Sequence, residues 1–566
     1  MNRTIGIVAA AVVILAGAGY FIFMGGPGGD RVSGEELRAY VENQLTEAGA
    51  TFEAITYDGG SDSVTVTNLE AGNAIPFYKE FKVATVTIKG GDKTAFEMLI
   101  DGAAAEEAGS EDFLRVAKEM RAEDITFTLD AGSMAEAAAA ASGEEQDAEI
   151  EAEIDKAVGG LKAGGSIESF SVEDYAVKPT GESLATLLEA PDLSSPEALN
   201  SFMARAGKFG AAQKYDRYEV KGLTYQVDAE EANLEATVES ATSDGYDAGI
   251  LGETEVGRTV IVVGGEAIQE ELGGPVTASM EGAMVEHLDM AGMLKAMQDG
   301  TLVPEDPEKA PLLSAWTPTF GDYKVSNVKV SVPGYGDFTL EELSADEVKN
   351  VAGLALGGKG TLKNLVIPAS AFDNSEFKEV FDRLGAEELR INISSKSAFD
   401  EKENVWNMSK FLVDVEKFGS LNTEFRFGGM GFLEDMVGMP SDEFVSSGMM
   451  NRVLQQMTFQ RLQLTYRDQG AVDYLLNSMA EQSGMERSQL VQQYVQQFDA
   501  MRAQFGEVQA LNELSGALAS FMQEPKSLTL TFDPEEPVPF GQVSAMGMAA
   551  PTQLIEALGF SAEANK

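Results

Sequence analysis

The spacing of apolar residues changes several times along the chain, and each change predicts a different element. A first helix is expected between Ser33 and Gly49, with apolar positions at Leu37, Tyr40, Val41 and Leu45. Apolar and polar residues then alternate with a period of two, which predicts strands. Strands are expected over residues 52–57, 63–69 and 81–88, followed by a helix over 112–120 and a strand over 125–129.

The middle of the chain contains one internal repeat. Residues 218–227 (YEVKGLTYQV) and 323–332 (YKVSNVKVSV) alternate in the same way, and each is followed by a turn and a segment containing Leu-Glu. Both predict strand-turn-strand units of one β architecture. Further strands are expected over 259–263, 276–280, 361–367, 388–394, 405–415 and 420–427, and short helices over 196–206, 290–297 and 376–384.

The last third of the chain becomes helical. Helices are expected over 442–456, 471–483 and 486–522, with strands over 458–466 and 528–532. The longest helix has an apolar stripe opposite a row of glutamines, which indicates either packing onto the sheet or a candidate partner face. The residues of this stripe are Leu490, Val491, Tyr494, Val495, Phe498, Met501 and Phe505.

An apolar segment near the start predicts a membrane anchor. Residues 5–24 carry no charge, and twenty helical residues span about 30 Å, the hydrocarbon thickness of a bilayer. Arg3 precedes the segment and an acid-rich region follows it, so the N-terminus is expected in the cytoplasm and the body in the periplasm of a bacterial inner membrane. Ala16-Gly17-Ala18 leaves a cleaved signal peptide as the alternative.

These patterns predict an α+β chain with a single transmembrane helix and a strand-dominated body of repeated antiparallel β units. The body has interleaved helices and a helical C-terminal third. The expected regions are a cytoplasmic stub (1–4), a transmembrane helix (5–24), a first α+β region (25–132), an acidic Ala/Glu-rich linker or helix (133–160), a repeated β region (161–440) and a helical C-terminal region with edge strands (441–566).

The charge balance argues against several partners. The chain has 41 basic and 92 acidic residues, so its formal net charge is 41 − 92 = −51. Such a field repels phosphate backbones, and nucleic acid is not expected as a partner. The acidity is explained by a solvated surface suited to a salty habitat or by a cation store. There is no cysteine, so disulfides, thiolate chemistry and cysteine metal sites are excluded.

The layout resembles a known group of proteins. The short basic start, the single apolar helix and the long body of alternating strands with amphipathic helices resemble the YdgA-like family of bacterial envelope proteins. The repeated strand units resemble more loosely the AsmA-like inner-membrane-anchored proteins, which handle lipids through β grooves. The resemblance covers architecture over most of the chain and carries no site residue.

Motifs for catalysis and cofactors are missing. The single histidine, His287, lacks a nucleophile elbow and is interpreted as a surface or turn residue. The glycines of residues 357–361 do not have phosphate-loop spacing and predict a turn, and residues 257–265 lack the dinucleotide fingerprint. Residues 58–62 and 244–247 place carboxylates in predicted turns, where calcium and simple turn formation are both open. No catalytic, cofactor or metal residue is predicted.

The sequence therefore favours a membrane-anchored envelope protein without catalysis. Two functions are expected to compete. The first is binding of a lipid or another apolar ligand, and the second is a scaffold or assembly role in which the C-terminal helices bind a protein partner. A sheet with a continuous apolar face favours the first, whereas a closed core with an exposed helix stripe favours the second.

Overall fold

A computed structural model describes residues 34–47, 49–71, 78–101, 113–129, 162–178, 196–229, 232–300, 317–373, 377–505 and 508–566. Over these residues the chain is mixed α+β and strand-dominated, with a helical C-terminal region, as predicted. The predicted segments 5–24 and 133–160 lie outside the described residues. Within those residues, no helix combines the length and apolar composition that crossing a bilayer requires.

The chain divides into two compact units. The first comprises Met1–Pro307 and Ala315–Phe320, and the second comprises Glu308–Ser314 and Gly321–Lys566. The division falls inside residues 161–440, which the sequence predicts to be a single region. The predicted limits of the acidic linker lie outside the described residues.

The first unit is built on an antiparallel meander. Its strands β1 to β7 pair in chain order. One end of β7 pairs with β8 and the other end pairs with β9. Strand β8 then pairs with β11 and β12, and β9 pairs with β10. The strands are β1 (Ala54–Asp58), β2 (Ser63–Glu70), β3 (Tyr78–Lys89), β4 (Leu114–Leu129), β5 (Lys162–Val177), β6 (Gln213–Asp228), β7 (Asn233–Asp247), β8 (Ile250–Val256), β9 (Thr259–Gly264), β10 (Val276–Met280), β11 (Gly282–Val285) and β12 (Leu288–Asp289). The helices are α1 (Gly34–Glu47), α2 (Lys93–Asp101), α3 (Pro196–Ala211), α4 (Glu266–Leu272) and α5 (Ala291–Gln298).

The core of the first unit lies between this sheet and two helices. Helix α1 contacts β1 and β2, and α2 contacts β4 and β5. Both helices turn their apolar side to the sheet because their apolar residues recur at helical spacing. The largest fully buried side chains of this core are Leu69, Phe81, Ile88, Phe96, Leu99, Met120, Ile125 and Ile167.

The second unit is also an antiparallel sheet, with helices mainly in its C-terminal part. Strands β13 to β19 pair in chain order, β19 also pairs with β20 and β21, and β20 pairs with β22. The strands are β13 (Tyr323–Val332), β14 (Gly336–Val351), β15 (Leu354–Pro368), β16 (Glu388–Asp400), β17 (Val405–Val415), β18 (Gly419–Gly428), β19 (Thr458–Asp468), β20 (Ser527–Phe532), β21 (Val538–Pro539) and β22 (Phe560–Ala564). The helices are α6 (Phe377–Leu384), α7 (Phe432–Met436), α8 (Ser441–Ser446), α9 (Met449–Gln456), α10 (Ala471–Ser483), α11 (Arg487–Phe505), α12 (Gln509–Gln523), α13 (Phe540–Ala549) and α14 (Pro551–Ala557).

A short backbone motif recurs in both sheets. It consists of an apolar residue, any residue, a residue with positive φ and a second apolar residue. The positive-φ positions of this motif are Asn68, Asp124, Asp174, Gly222, His287, Asn327, Glu347 and Asn364. In a regular strand, residues three apart point to opposite faces, but here both flanking residues reach the same face. Val66 and Leu69, for example, are both buried.

The motifs of alternate strands are aligned across each sheet. In the first unit, the register runs from Thr67 to Thr85, Glu123, Ser169 and Lys221, so Asn68, Asp124 and Gly222 each follow a residue of one cross-strand row. In the second unit, Ser326 pairs with Glu342 and Glu342 with Lys363, which aligns Asn327 with Asn364 in the same way. The predicted repeat is confirmed as two hairpins, and its fifth position is Gly222 in one copy and Asn327 in the other.

Several sequence predictions are wrong. The helices expected over 442–456 and 486–522 are each divided, because Gly448 has a positive φ and Val508 is extended. The helix expected over 112–120 belongs to strand β4, which is paired on both edges, with β3 and β5. The turn expected over 357–361 lies inside β15, where Gly358 (φ 135°) sits at an irregular register and a Cβ would approach the Asp346 carbonyl oxygen to 2.9 Å. Residues 244–247 lie in β7 rather than in a turn, and Asp244 and Asp247 form ion pairs with Arg217 and Lys214 across β6 at 2.8 and 2.7 Å.

Candidate apolar binding face

A row of apolar side chains crosses the whole sheet of the second unit. At about 4.8 Å between neighbouring strands, nine strands place its two ends about 38 Å apart. Because paired residues of neighbouring strands share a face, all members of the row point to one side of the sheet. The row consists of Val325, Leu343, Leu362, Ile393, Val413, Leu421, Tyr466, Leu528 and Ala564.

Two further rows lie beside it on the same side, because their residues stand two and four positions along the same strands, except that Met408 stands five positions from Val413 across a β-bulge. The second row contains Phe411, Thr423, Leu464, Leu530 and Ala562. The third row contains Met408, Phe425, Leu462, Phe532 and Phe560. We call the surface made by these three rows the apolar face.

The other side of the sheet is mainly polar. One row there runs through Asn392, Asp414, Ser420, Arg467 and Ser527. Nearer the first strand of this unit, Lys324 Nζ lies 2.8 Å from a Glu342 carboxylate oxygen. The sheet is therefore amphipathic: its charged side is suited to solvent, and its other side is stabilised by contact with apolar groups.

Helices cover the margins of the apolar face. Phe521 of α12 packs edge-on against Tyr466, with 6.0 Å between ring centres. Phe540 of α13 lies 5.6 Å from Phe427, beside a buried cluster of Phe459, Val538 and Leu558. At these margins the sheet and the helices form a small closed core.

The middle of the apolar face remains open to solvent. Leu421 is 44% exposed and Phe411 is 39% exposed, although both belong to the central strands β17 and β18. Their row neighbours Leu362, Ile393 and Val413 are only half-buried. Large apolar side chains in the middle of a sheet are normally sealed, so this exposure marks a surface that is suited to an apolar ligand.

Tyr466 of this face and Trp406, which pairs with Phe427 just beyond the third row, are aromatic residues with a polar group. The Tyr466 hydroxyl lies 3.0 Å from an Asp468 carboxylate oxygen and 3.1 Å from the Phe418 carbonyl oxygen. Burial and the neighbouring carboxylate raise the pKa of Tyr466 well above its usual range, so the residue stays neutral. Trp406 contacts Phe425 edge-on at 4.7 Å, and its buried indole nitrogen has no hydrogen-bond partner among the residues that the structure describes.

The predicted partner stripe lies on α11, which packs against α10 and α12. Leu490 and Val491 are buried in this helical layer. Tyr494, Val495 and Phe498 are half-buried. Met501 and Phe505 belong to α11, but their side chains lie outside the described part of the structure. A partner face on this helix therefore stays a prediction.

The backbone conformation accounts for the position of His287, the single histidine of the sequence. His287 has a φ of 49° and occupies the positive-φ position of the recurring motif, where Asn, Asp or Gly stands elsewhere except at Glu347. Its backbone N–H donates to the Gly252 carbonyl oxygen at 3.1 Å. Its place in the sheet is set by backbone geometry, which is the role that short polar residues fill in this conformation.

Neither of the two segments at which calcium is an open alternative, 58–62 and 244–247, belongs to a cluster of candidate metal ligands among the described residues. The Asp58 carboxylate accepts hydrogen bonds from the Gly60 N–H at 2.9 Å and the Ser61 hydroxyl at 2.6 Å, which closes the turn before β2. These two bonds lower the pKa of Asp58. Among the described residues, no group of three or more acidic or histidine side chains is arranged to hold a metal ion.

Two shallow pockets lie in the first unit, on strands β6, β7 and β9. Their volumes are about 390 and 460 Å³. Leu223, Val238 and Val260 line the larger one together with Glu239 and Arg258. Both are open to solvent, and Leu223 of the larger pocket also packs against the core of that unit.

Comparison with known proteins adds a single match. A family model described as "Uncharacterized protein" matches residues 412–565, which lie in the second unit and include β18 to β22. No curated protein matches the chain. No solved structure matches it either.

Proposed function

We propose that this chain is a membrane-tethered envelope protein that holds an elongated apolar ligand, of the acyl-chain type found in lipids, on the apolar face. It catalyses no reaction in this proposal. The tether is the apolar segment 5–24, and the body lies on the periplasmic side. The observation that carries the proposal is the half-exposed middle of a nine-strand apolar row.

The physical argument is the cost of leaving this surface in water. Each Leu, Val, Ile or Phe side chain gains about 1.5–3 kcal/mol on full burial, and the middle of the face obtains only part of that gain from its own unit. A flexible acyl chain lying across the strands removes this surface from water. It needs no fixed polar partner, which agrees with a face that offers few hydrogen-bonding groups.

The test is a matched pair of substitutions in the full chain. Leu421→Glu places a carboxylate in the middle of the apolar face, and Leu475→Glu makes the same change at a leucine of α10 that is 54% exposed. Both positions are solvent-accessible, so folding is expected to survive in each. A carboxylate pressed against an acyl chain is costly, and we expect at least about tenfold weaker binding in Leu421→Glu, equivalent to about 1.4 kcal/mol.

Binding is measured in two ways. Native mass spectrometry and solvent extraction of the protein purified in mild detergent report lipid that co-purifies, and a fluorescent fatty acid reports uptake. We expect the wild-type protein and Leu475→Glu to carry lipid and Leu421→Glu to lose it. Wild-type protein that is free of lipid and takes up no fatty acid would refute ligand binding.

A second candidate function rests on α10. Leu475 and Met479 stand one turn apart on this helix and are 54% and 41% exposed, which is the spacing of a helix-binding surface. A scaffold role predicts the opposite result for the variants Leu421→Glu and Leu475→Glu. Leu475→Glu would lose a protein partner in cross-linking from intact envelopes, while Leu421→Glu would keep it.

A further inference from the structure

The last two helices contain an unusual charge-free segment. Residues 537–555 carry no charged side chain, although a stretch of nineteen residues would carry about four at the 23% charged content of the chain, since 0.23 × 19 is 4.4. Only residues 4–29, which include the predicted anchor, form a longer charge-free stretch in this sequence. We call residues 537–555, which include α13 and most of α14, the uncharged hairpin.

The hairpin has an inner and an outer side. On the inner side, Phe540, Val543 and Leu554 pack against the buried cluster of Phe459, Val538 and Leu558. On the outer side, Met548 is 82% exposed, more than any other large apolar side chain described. Ala545, Gly547 and Ala549 are exposed beside it. Gln542 and Ser544 are also exposed on α13, so its solvent side offers apolar, small and uncharged polar side chains where a helix in water normally carries charge.

The acidic residues around the uncharged hairpin indicate which kind of surface its exposed side can bind. The chain has a net charge of −51, and acidic residues flank the hairpin at Glu535, Glu536 and Glu556. Such a surface is repelled by anionic membranes and by acidic proteins. A charge-free tip with a long flexible thioether matches the headgroup and upper acyl region of a neutral bilayer, which Met, Ala and Gly enter at little desolvation cost.

The hairpin also adjoins the apolar face. The cluster under its inner side includes Leu462 and Phe532, which belong to the third row of that face. A bilayer held at the outer side would therefore lie next to one margin of the proposed ligand surface.

We propose that the uncharged hairpin is a second membrane contact, which touches a bilayer of zwitterionic lipid through Met548 and its neighbours. The inference uses the tether of the proposed function, which brings the body to a membrane. It does not require ligand binding by the apolar face.

The absence of cysteine makes a direct test possible. A single polarity-sensitive dye is attached in the full chain at Met548→Cys, or, as a control, at Leu475→Cys on α10, where the leucine is 54% exposed. Each protein is reconstituted into phosphatidylcholine vesicles that contain a spin-labelled lipid quencher. We expect the dye at position 548 to lose roughly half of its emission relative to unquenched vesicles and the dye at position 475 to keep it.

Two further arms sharpen the result. Ala549→Asp in the Met548→Cys protein should abolish the quenching, because it places a charge on the exposed tip without touching the core. Raising the salt from 0.01 to 0.1 M shortens the Debye length from about 30 to about 10 Å, so contact should persist or increase. Exchanging phosphatidylcholine for anionic phosphatidylglycerol should weaken it.

The outcomes separate the two proposals. Vesicles that float with the protein, with equal quenching at positions 548 and 475, would refute the hairpin contact and leave the tether intact. Quenching that needs anionic lipid, or that disappears with salt, would also refute it. Position 548 could instead cross-link to a protein in intact envelopes and show no quenching in vesicles. That result would refute the membrane contact and assign the exposed side of the hairpin to a protein. A chain that does not float refutes both the tether and the contact.

Discussion

The two sheets use the same residue pattern to different ends. In the first unit, the row Val66, Val86, Ala122, Phe170 and Val220 is sealed, and none of its members is more than 7% exposed. In the second unit, the corresponding row is open in the middle. Alternation along a strand therefore decides which side of a sheet is apolar, and other elements decide whether that side becomes a core.

The difference follows from what the connections between strands contain. In the first unit, α1 precedes the sheet and α2 stands between β3 and β4, and both lie on the apolar side. In the second unit, the connections β13–β14, β14–β15, β16–β17 and β17–β18 are turns of two to four residues. Such turns supply no side chains that reach the middle of the face.

The largest change in the free energy of unfolding is expected when a phenylalanine is replaced by alanine in each of the two sheets. Phe81→Ala removes a fully buried ring from the first unit and should lower the free energy of unfolding by about 3–5 kcal/mol. Phe411→Ala removes a ring that is 39% exposed and should cost about 1 kcal/mol. Denaturant titrations of the full chain measure both. Equal losses would mean that the apolar face is sealed in solution.

A smaller effect, equal in the two sheets, is expected at the recurring motif. Asn68 and Asn364 have φ values of 49° and 57°. Alanine at either position should lower the free energy of unfolding by about 1 kcal/mol relative to glycine, because glycine accepts positive φ without strain.

The glycine variants are the matched controls, since they lose the same side-chain hydrogen bonds as the alanine variants. The cost of alanine should not depend on whether the surrounding sheet is sealed or open. A cost at Asn68 alone would show that the motif matters only inside a packed core.

The smallest effect concerns alkaline pH. Tyr246 donates a hydrogen bond to the Gly210 carbonyl oxygen at 2.9 Å and stacks on Tyr215 at 5.3 Å. Burial raises the pKa of Tyr246 from 10.0 to about 12. Between these values the unfolded chain ionises while the folded chain stays protonated, so this contribution to stability is present below pH 10 and lost as pH rises towards 12.

Tyr246→Phe should cost about 1 kcal/mol near neutral pH and make the alkaline loss of stability shallower. Unfolding curves recorded from pH 7 to pH 11 measure both quantities. The same slope in the variant and the wild-type protein would mean that other tyrosines dominate the alkaline transition.

The sequence predicts many elements of both sheets, but it does not predict how they pair. The strands over 63–69, 276–280 and 405–415 are confirmed, because a period of two is visible in a few residues. The apolar face was not predicted, because register depends on partners far along the chain. Alternation such as Leu389, Ile391 and Ile393 shows one apolar side within a strand, but not the row to which that side belongs.

The wrong helix over 112–120 has a definite cause. In β4 the register shifts between Arg115 and Ala117, and both Val116 and Ala117 are buried. With Met120, this places apolar side chains three and four residues apart, which is the spacing of a helix. A bulged strand and an amphipathic helix are then indistinguishable by period alone, and pairing with β3 and β5 decides for the strand.

The recurring positive-φ motif also bears on how such a chain changes its length over evolutionary time. Asn68, Asp124 and Gly222 stand on every second strand (β2, β4 and β6), so each two-strand hairpin of this series carries its own aligned copy of the kink. Duplication or loss of one hairpin would lengthen or shorten a sheet by about 10 Å, and its apolar and polar sides would stay the same. The capacity of such a surface can thus be adjusted in steps of one hairpin, without redesigning any strand that is already present.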